Sequence, residues 1–376
     1  MSDVFDSVVG QPRVREFLRA SIHSGRISHA YLFTGPAGSN KTTAAYAFAQ
    51  AILCEEGGCD DCINCKQITR RVHPDVHYYA PEGAQGYLVE QIREIVGDAS
   101  LSPIRASRKV YIIDRADLMG VSAANAFLKT LEEPPDDVVI ILLGRTRESV
   151  LPTIVSRCQV VAFRYIPATE AAAILSQHTT ASLTEASIAI QACGGSITKA
   201  TQFLKSHERM EFRRRVVEVL NSLALADDLD ILNYAKELVN VSKNSLDEVR
   251  REQEEILLRN TDFLARSALK SLEAQQKRML SQTSFEYLHQ LMNIVRSWLR
   301  DVMIVAVGTP ELLVNKDFEH EIGSSAGRTD EVRVCRALVC VDTADDAITY
   351  NVSPQTCIEA MLFEIREVLY GTGRTC

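Results

Sequence analysis

A loop of small residues could bind phosphate. Residues 35–43 follow a short apolar run and lead into an alanine-rich segment that favours a helix. Gly35 and Gly38 allow backbone N–H groups to point at an anion, and the start of a helix adds positive charge there. In the pattern G-x-x-x-x-G-K-[ST], Lys41 would contact the β- and γ-phosphates of a nucleotide, and the Thr42 hydroxyl would contact Mg²⁺.

One position of this loop departs from the pattern. Asn40 occupies the position of the last glycine, and Thr43, at the helix start, is a further candidate nucleotide-binding residue. Asparagine tolerates a positive φ better than most residues with side chains, so the turn can form, but we expect its side chain to crowd the phosphate space. The sequence predicts a P-loop fold, with ATP binding left open. A plain strand-to-helix connection is the alternative.

A second candidate group follows the apolar run at residues 110–113. Asp114 ends this run, where an open α/β nucleotide site places a carboxylate that holds Mg²⁺. A glutamate would be needed next to activate water, and the sequence has Arg115 there. Because a guanidinium cannot accept a proton, we expect this chain not to hydrolyse ATP by itself.

Four cysteines are closely spaced after the P-loop segment. Cys54, Cys59, Cys62 and Cys65 have the spacing C-x₄-C-x₂-C-x₂-C. Four thiolates around a tight turn suit tetrahedral Zn²⁺ at Zn–S distances of about 2.3 Å, and a site with four protein ligands is closed and structural. Its binding free energy would be on the order of 10 kcal/mol. The alternatives are four reduced, unligated cysteines or an iron–sulfur cluster.

Composition limits the class of protein. The chain has 376 residues, of which 46% are hydrophobic and 24% charged, as in ordinary globular proteins. Its net charge of −8 does not favour a general nucleic-acid surface. The apolar runs are too short to cross a membrane, and the first residues carry no apolar signal region, so we expect a cytoplasmic protein.

Hydrophobic periodicity divides the chain into three parts. Strand-like apolar runs alternate with helical patterns in residues 1–165, which predicts an α/β P-loop domain with a parallel sheet, helices on both faces and the zinc module at 54–65 inserted. Residues 166–208 contain only helical patterns and are predicted to form a small helical lid domain. Residues 209–376 are predicted to form an all-α C-terminal domain, with long helical runs at 246–280 and 285–307.

Several motifs together resemble one known family. They are Val9-Gly10-Gln11, His29-Ala30-Tyr31-Leu32-Phe33, the four-cysteine insertion, Asn125-Ala126-Phe127-Leu128-Lys129-Thr130-Leu131-Glu132-Glu133-Pro134-Pro135, Ser156-Arg157-Cys158, Trp298-Leu299-Arg300-Asp301, Asn315-Lys316-Asp317 and Asn351-Val352-Ser353-Pro354-Gln355. On these residues the chain resembles the AAA+ clamp-loader subunits of bacterial DNA polymerase III, and among them the delta-prime type. The resemblance extends over nearly the whole length, although the first cysteine gap is shorter than the family usually shows.

The resemblance implies an assembly as well as a fold. It implies a hetero-pentameric ring with ATP-hydrolysing motor subunits and a delta-type subunit, which places the sliding clamp on primed DNA in replication. The C-terminal domain would be the collar through which the subunits associate. By match of motif, Arg157 is the arginine that reaches into the neighbouring subunit's ATP site. A guanidinium suits this role because its planar set of donors matches the charge of a phosphoryl-transfer transition state.

Departures from the motor subunits favour a supporting role. Besides Asn40 and Arg115, Thr198 occupies the position after Gly194-Gly195 where the motors carry a phosphate-sensing arginine. Thr146, after the fourth strand, remains a candidate polar sensor of the γ-phosphate. The resemblance therefore implies a subunit that serves its neighbours. An active motor-type ATPase is one alternative, and a zinc-dependent adapter outside replication is another.

Overall fold

A computed structural model describes residues 3–82, 86–241, 266–349 and 352–371. The chain divides into two compact units. The first unit comprises Met1–Thr180 and Gly195–Lys199, and the second comprises Ala181–Gly194 and Ala200–Cys376. Within the described ranges, no helix is both long enough and apolar enough to cross a membrane.

The first unit alternates strands and helices. Its strands are β1 (Ala30–Thr34), β2 (Val76–Tyr79), β3 (Lys109–Ile113), β4 (Val138–Gly144) and β5 (Gln159–Ala162). Its helices are α1 (Pro12–His23), α2 (Lys41–Leu53), α3 (Ile63–Thr69), α4 (Val89–Ala99), α5 (Val121–Glu132), α6 (Pro152–Val155) and α7 (Ala168–His178). Proline at the first helical position suits α1 and α6, because that residue needs no hydrogen-bonded N–H.

The strands form one parallel sheet in the order β2-β3-β4-β1-β5. Every residue of β1, β3 and β4 is buried, which explains why these strands are continuous apolar runs. The two faces of the sheet support separate apolar clusters, with Phe33 and Phe48 in one and Tyr111 and Phe127 in the other. The predicted parallel α/β architecture, covered on both faces, is confirmed.

The second unit contains helices only among its described residues. They are α8 (Leu183–Ala192), α10 (His207–Ser222), α11 (residues 228–241), α12 (Arg266–Ala306), α13 (Glu319–Ala326), α14 (Glu331–Thr349) and α15 (Pro354–Tyr370), while α9 (Ile197–Lys205) has residues in both units. The two predicted runs at 246–280 and 285–307 are joined in α12, a helix of 41 residues. Residues 246–265 of the first run, and Asn351 of the last motif, lie outside the described residues.

Two motifs of the C-terminal region meet in a buried polar network. The fully buried carboxylate of Asp301 accepts hydrogen bonds from the backbone N–H and the side-chain amide of Asn315, at 2.7 and 2.8 Å. Arg213 donates to Asn315 at 2.7 Å and forms an ion pair with Asp317. Because a buried carboxylate requires such donors, these contacts explain why the two motifs occur together.

Candidate functional site

The predicted phosphate loop connects the carboxyl end of β1 to the start of α2. The Lys41 ammonium donates to the carbonyl oxygens of Gly35 and Pro36, at 2.5 and 2.8 Å. Burial lowers the pKa of Lys41, although the carboxylates of Asp114 and Asp117 oppose that effect. The lysine therefore lies within the loop and near both acidic side chains. A phosphate that bound Lys41 would have to replace its two carbonyl contacts.

Asn40 adopts the backbone conformation that the pattern normally assigns to glycine. Its φ of 65° lies in the left-handed region, so the turn forms without glycine. The side chain is buried, and its amide nitrogen donates to the Val9 carbonyl at 3.0 Å. The amide is thus bonded to the segment that precedes α1. The crowding that we expected at this position takes the form of a buried contact with the chain's own backbone.

Thr198 also contacts the loop region. Its hydroxyl lies 3.0 Å from the Thr43 hydroxyl and donates to the Asn40 side-chain oxygen at 3.5 Å. Gln11 holds the same loop from another side, because its amide donates to the carbonyls of Ser39 and Arg164 at 3.1 and 2.8 Å. Neutral hydrogen bonds therefore join Thr198 to the loop region, and Thr198 adds no positive charge there.

The acidic residues lie at the same edge of the sheet. Asp114 follows β3, and its carboxylate accepts hydrogen bonds from the Tyr78 hydroxyl at 2.6 Å and from the Arg115 N–H at 2.9 Å. Burial raises the pKa of Tyr78, and the Asp114 charge adds to that effect. The Asp117 side chain is almost fully buried and forms an ion pair with Arg145 at 2.9 Å. One carboxylate suited to Mg²⁺ is thus already bonded to protein donors.

The remaining predicted nucleotide residues have simpler surroundings. Thr42 is half-buried in the first turn of α2. Thr146 is exposed in the turn after β4, where its hydroxyl accepts a hydrogen bond from the Ser149 N–H at 3.1 Å. Arg115 is exposed, with a positive φ of 49°. The structure therefore brings the loop, Asp114 and Thr146 to the carboxyl edge of one sheet, with a cation where a general base would be needed.

Arg157 lies at the end of the sheet where the strands begin, opposite to the end that carries the phosphate loop. Arg157 lies two residues before the start of β5, and β5 runs parallel to β1. The phosphate loop follows the carboxyl end of β1, whereas Arg157 is near the amino end of β5. Because β1 has five residues and a strand rises about 3.3 Å per residue, the two edges are roughly 15 Å apart. The chain's own phosphate loop is therefore out of reach of this guanidinium.

The Arg157 guanidinium is held by several acceptors. Its Nε donates to the Glu132 carboxylate at 2.8 Å, and Nη2 contacts the same carboxylate oxygen. Its Nη1 donates to the Thr153 carbonyl at 2.8 Å. Both charged side chains line an open cavity of about 440 Å³. The sequence motifs contain Glu132, but nothing in its spacing from Arg157 predicted this ion pair.

The four cysteines of the predicted zinc module converge. All four sulfur atoms lie within 4.8 Å of one another, and the Sγ of Cys54 is 3.6 Å from that of Cys59 and 3.8 Å from that of Cys62. A regular tetrahedron with metal–sulfur bonds of about 2.3 Å places its sulfurs about 3.8 Å apart. These distances fit a single metal ion, whereas a cluster of several irons would separate the thiolates further.

Backbone amides support the cysteine cluster. The N–H groups of Cys59, Cys62 and Cys65 donate to the sulfurs of Cys54, Cys59 and Cys62, at 3.3 to 3.4 Å. Although burial opposes ionisation, such N–H groups lower the pKa of the Cys54 thiol to about 7. Cys54 therefore joins the cluster, although only four residues separate it from Cys59. Thiolate donors in this geometry suit zinc, which would connect the end of α2 to the start of α3.

A buried histidine next to this module predicts a pH dependence. His73 Nδ1 accepts the Asp75 N–H at 3.1 Å, so its Nε2–H donates to the Asn64 side-chain oxygen at 3.3 Å, and the ring is neutral. Burial lowers the pKa of His73. The unfolded chain therefore binds a proton at higher pH than the folded chain does. Stability should fall as the pH drops below about 6.5, by at most about 1.4 kcal/mol per pH unit.

Urea unfolding at pH 7.5 and 5.5 tests this expectation. The loss of stability at the lower pH should be smaller in His73→Gln than in the wild type. His23→Gln, which alters an exposed histidine, serves as the matched control and should behave like the wild type. An identical loss of stability in His73→Gln and the wild type would show that His73 does not titrate in this way.

Comparison with known proteins identifies the first unit. Residues 10–167 match the family described as DNA polymerase III, delta subunit. The chain is 41% identical over 157 residues to DNA polymerase III subunit delta' of Bacillus subtilis, covering 41% of this chain and 47% of that protein. Over these residues the chain is therefore similar to DNA polymerase III subunits. The resemblance stated from the sequence motifs is therefore confirmed for this region.

Other relatives carry related names. The subunit delta' of Pseudomonas aeruginosa is 40% identical over 136 residues, covering 35% of this chain and 42% of that protein. The subunit tau of Bacillus subtilis is 39% identical over 166 residues, covering 43% of this chain and 29% of that protein. The chain therefore spans less than half the length of these curated relatives. The relatives include both delta' and tau subunits, so these similarities do not distinguish between the two types.

Proposed function

We propose that this chain is a delta-prime-type subunit of a DNA polymerase III clamp loader. In this role it assembles with ATP-hydrolysing motor subunits and a delta-type subunit into a hetero-pentameric ring. The ring loads the sliding clamp onto primed DNA. The chain contributes Arg157 in trans to a neighbour's ATP site and does not hydrolyse ATP itself. A zinc ion held by Cys54, Cys59, Cys62 and Cys65 supports the fold of the first unit.

One observation carries the proposal. Arg157 and the phosphate loop lie at opposite ends of the strands of the same parallel sheet, so a phosphate near Arg157 is not one that the chain's own loop binds, which supports a role in trans. The guanidinium is only partly exposed, and it borders an open cavity rather than a packed interior. A fixed, accessible arginine of this kind suits a transition state whose negative charge is spread over phosphoryl oxygens.

The chain's own nucleotide site supports the second half of the proposal. Lys41 is bonded to loop carbonyls, and Asp114 is bonded to Tyr78. Arg115 lies where a water-activating carboxylate would be needed, and Thr198 contributes no positive charge. Each of these features weakens either nucleotide binding or the proton transfer that hydrolysis requires. We therefore expect weak or absent nucleotide binding and negligible turnover by the isolated chain.

Reconstitution with the tau- or gamma-type and delta-type subunits of the same organism tests this function. The chain should co-purify in the complex, and clamp loading onto primed DNA should be lost when the chain is omitted. The isolated chain should show no ATP turnover above a heat-inactivated control. Failure to associate with those subunits, together with full loading activity in its absence, would contradict the proposal.

An active motor-type ATPase is the second candidate. It is favoured by the left-handed conformation of Asn40, which preserves the loop turn and keeps Lys41 in register. This candidate predicts ATP turnover by the chain alone, and it predicts that Lys41→Ala abolishes that turnover. Tight binding of Mg·ATP in calorimetry, without turnover, would instead show that the pocket binds nucleotide as a structural ligand.

A further inference from the structure

The Glu132 carboxylate holds the Arg157 guanidinium through hydrogen bonds. Glu132 is the last residue of α5, and Arg157 follows α6, 25 positions later in the chain. Both residues lie near the amino ends of the parallel strands, because Glu132 precedes β4 and Arg157 precedes β5. The ion pair is therefore created by the fold and not by sequence proximity.

The guanidinium has limited freedom in this arrangement. Glu132 accepts hydrogen bonds from Nε and Nη2, which occupy one side of the planar group. The Thr153 carbonyl and the Ser156 hydroxyl accept from Nη1, at 2.8 and 3.2 Å. Four of the five N–H bonds of the guanidinium thus have acceptors, so one N–H of Nη2 remains for an additional acceptor. The contacts fix the plane of the guanidinium and leave part of its outer edge accessible.

The position of Glu132 is itself fixed. The carbonyl of the preceding residue, Leu131, accepts a hydrogen bond from His29 Nε2 at 3.0 Å. His29 immediately precedes β1, so this contact connects the end of α5 to the central part of the sheet. The backbone at the end of α5 is therefore attached to the sheet, and the half-exposed Glu132 carboxylate that extends from it is held by its contact with Arg157.

We propose that Glu132 is a positioning residue for Arg157. This inference rests on the proposed function, because it assumes that Arg157 acts on a neighbour's nucleotide. A long, flexible side chain loses rotational freedom when it contacts a transition state, and a preformed ion pair removes much of that loss beforehand. Glu132 does not contact the nucleotide in this account. It acts through Arg157 alone.

Single-turnover ATP hydrolysis by the reconstituted complex tests the inference. Glu132→Ala should slow hydrolysis at the site that Arg157 serves by about tenfold, because the guanidinium is then less well oriented in the transition state. The maximal single-turnover rate constant should fall, while the concentration that gives half of the maximal rate should stay unchanged. Glu132→Gln keeps an oxygen that can accept from Nε and Nη2, and it should restore the rate to within about twofold of the wild type. Glu133→Ala, at the adjacent exposed position, should leave the rate unchanged.

A double-mutant cycle separates positioning from a general structural role. If Glu132 acts only through Arg157, adding Glu132→Ala to Arg157→Ala should have no further effect on the rate. A higher rate in Glu132→Ala, or additive losses in the double variant, would overturn the inference. Gel filtration should show that each variant still enters the complex. If Arg157→Ala itself leaves hydrolysis unchanged, the proposed function fails. If only Glu132→Ala leaves it unchanged, the inference alone fails.

Discussion

Arg157→Ala should slow ATP hydrolysis about 10³-fold at the one site of the assembled complex that this arginine faces. That factor corresponds to about 4 kcal/mol of transition-state stabilisation. The reason is the loss of a planar donor group at the point where negative charge spreads over the phosphoryl oxygens. The proposed ring contains further ATP sites that this variant leaves unchanged, so the steady-state rate should understate the effect. In a rapid-quench measurement, the amount of ATP hydrolysed in the burst should be smaller by the amount that one site hydrolyses.

Two variants control for indirect effects of this change. Arg157→Lys keeps the positive charge but loses the planar set of donors, and it should recover only a small part of the rate. Arg147→Ala removes an exposed arginine from the turn after β4, at the opposite edge of the sheet, and should leave the burst unchanged. A full burst in Arg157→Ala, in a complex that assembles normally, would show that this residue contributes nothing to hydrolysis.

The zinc module carries the second large expected effect. Protein purified without chelator should contain about one equivalent of zinc per chain, because four sulfurs converge to tetrahedral spacing. Removal of the metal should cost on the order of 10 kcal/mol of local folding free energy, since an ordered site rarely exists without its metal. We expect the segment between α2 and α3 to become sensitive to proteolysis after chelation, and zinc to restore its resistance.

Substitution of a single ligand should reproduce the effect of chelation. Cys59→Ser should lower the zinc content measured by elemental analysis to near zero, because a three-thiolate site no longer closes the coordination sphere. Cys335→Ser changes a cysteine on α14, outside the cluster, and should retain one equivalent. Stoichiometric iron with visible absorption would favour the iron–sulfur alternative. Absence of any metal would support four unligated cysteines.

Local patterns in the sequence were sufficient to predict much of the fold. Continuous apolar runs predicted β3 and β4, because a parallel sheet covered on both faces buries every residue of its inner strands. The spacing of the cysteines predicted their convergence, since a metal site within a short loop depends on local geometry. The conformation of Asn40 was also predictable, because few other residues tolerate the left-handed region.

Contacts between distant segments were not predictable in the same way. The pairing of Glu132 with Arg157 depends on strand order and on which edge of the sheet each segment reaches. The contact of Asn40 with the Val9 carbonyl also joins segments that are remote in sequence. The single helix α12 was predicted as two runs, because its hydrophobic pattern changes along the length without a helix-breaking residue. Such features depend on tertiary structure, which periodicity does not encode.

In the proposed function, this chain acts on a neighbour's nucleotide and not on its own. The most direct test compares Lys41→Ala with Arg157→Ala in the same reconstituted clamp-loader complex, by the burst of DNA-stimulated ATP hydrolysis. Lys41→Ala should give a full burst, because we expect the chain's own phosphate loop not to hydrolyse ATP. Arg157→Ala should give a burst reduced by one site. A reduced burst for Lys41→Ala with a full burst for Arg157→Ala would contradict the claim.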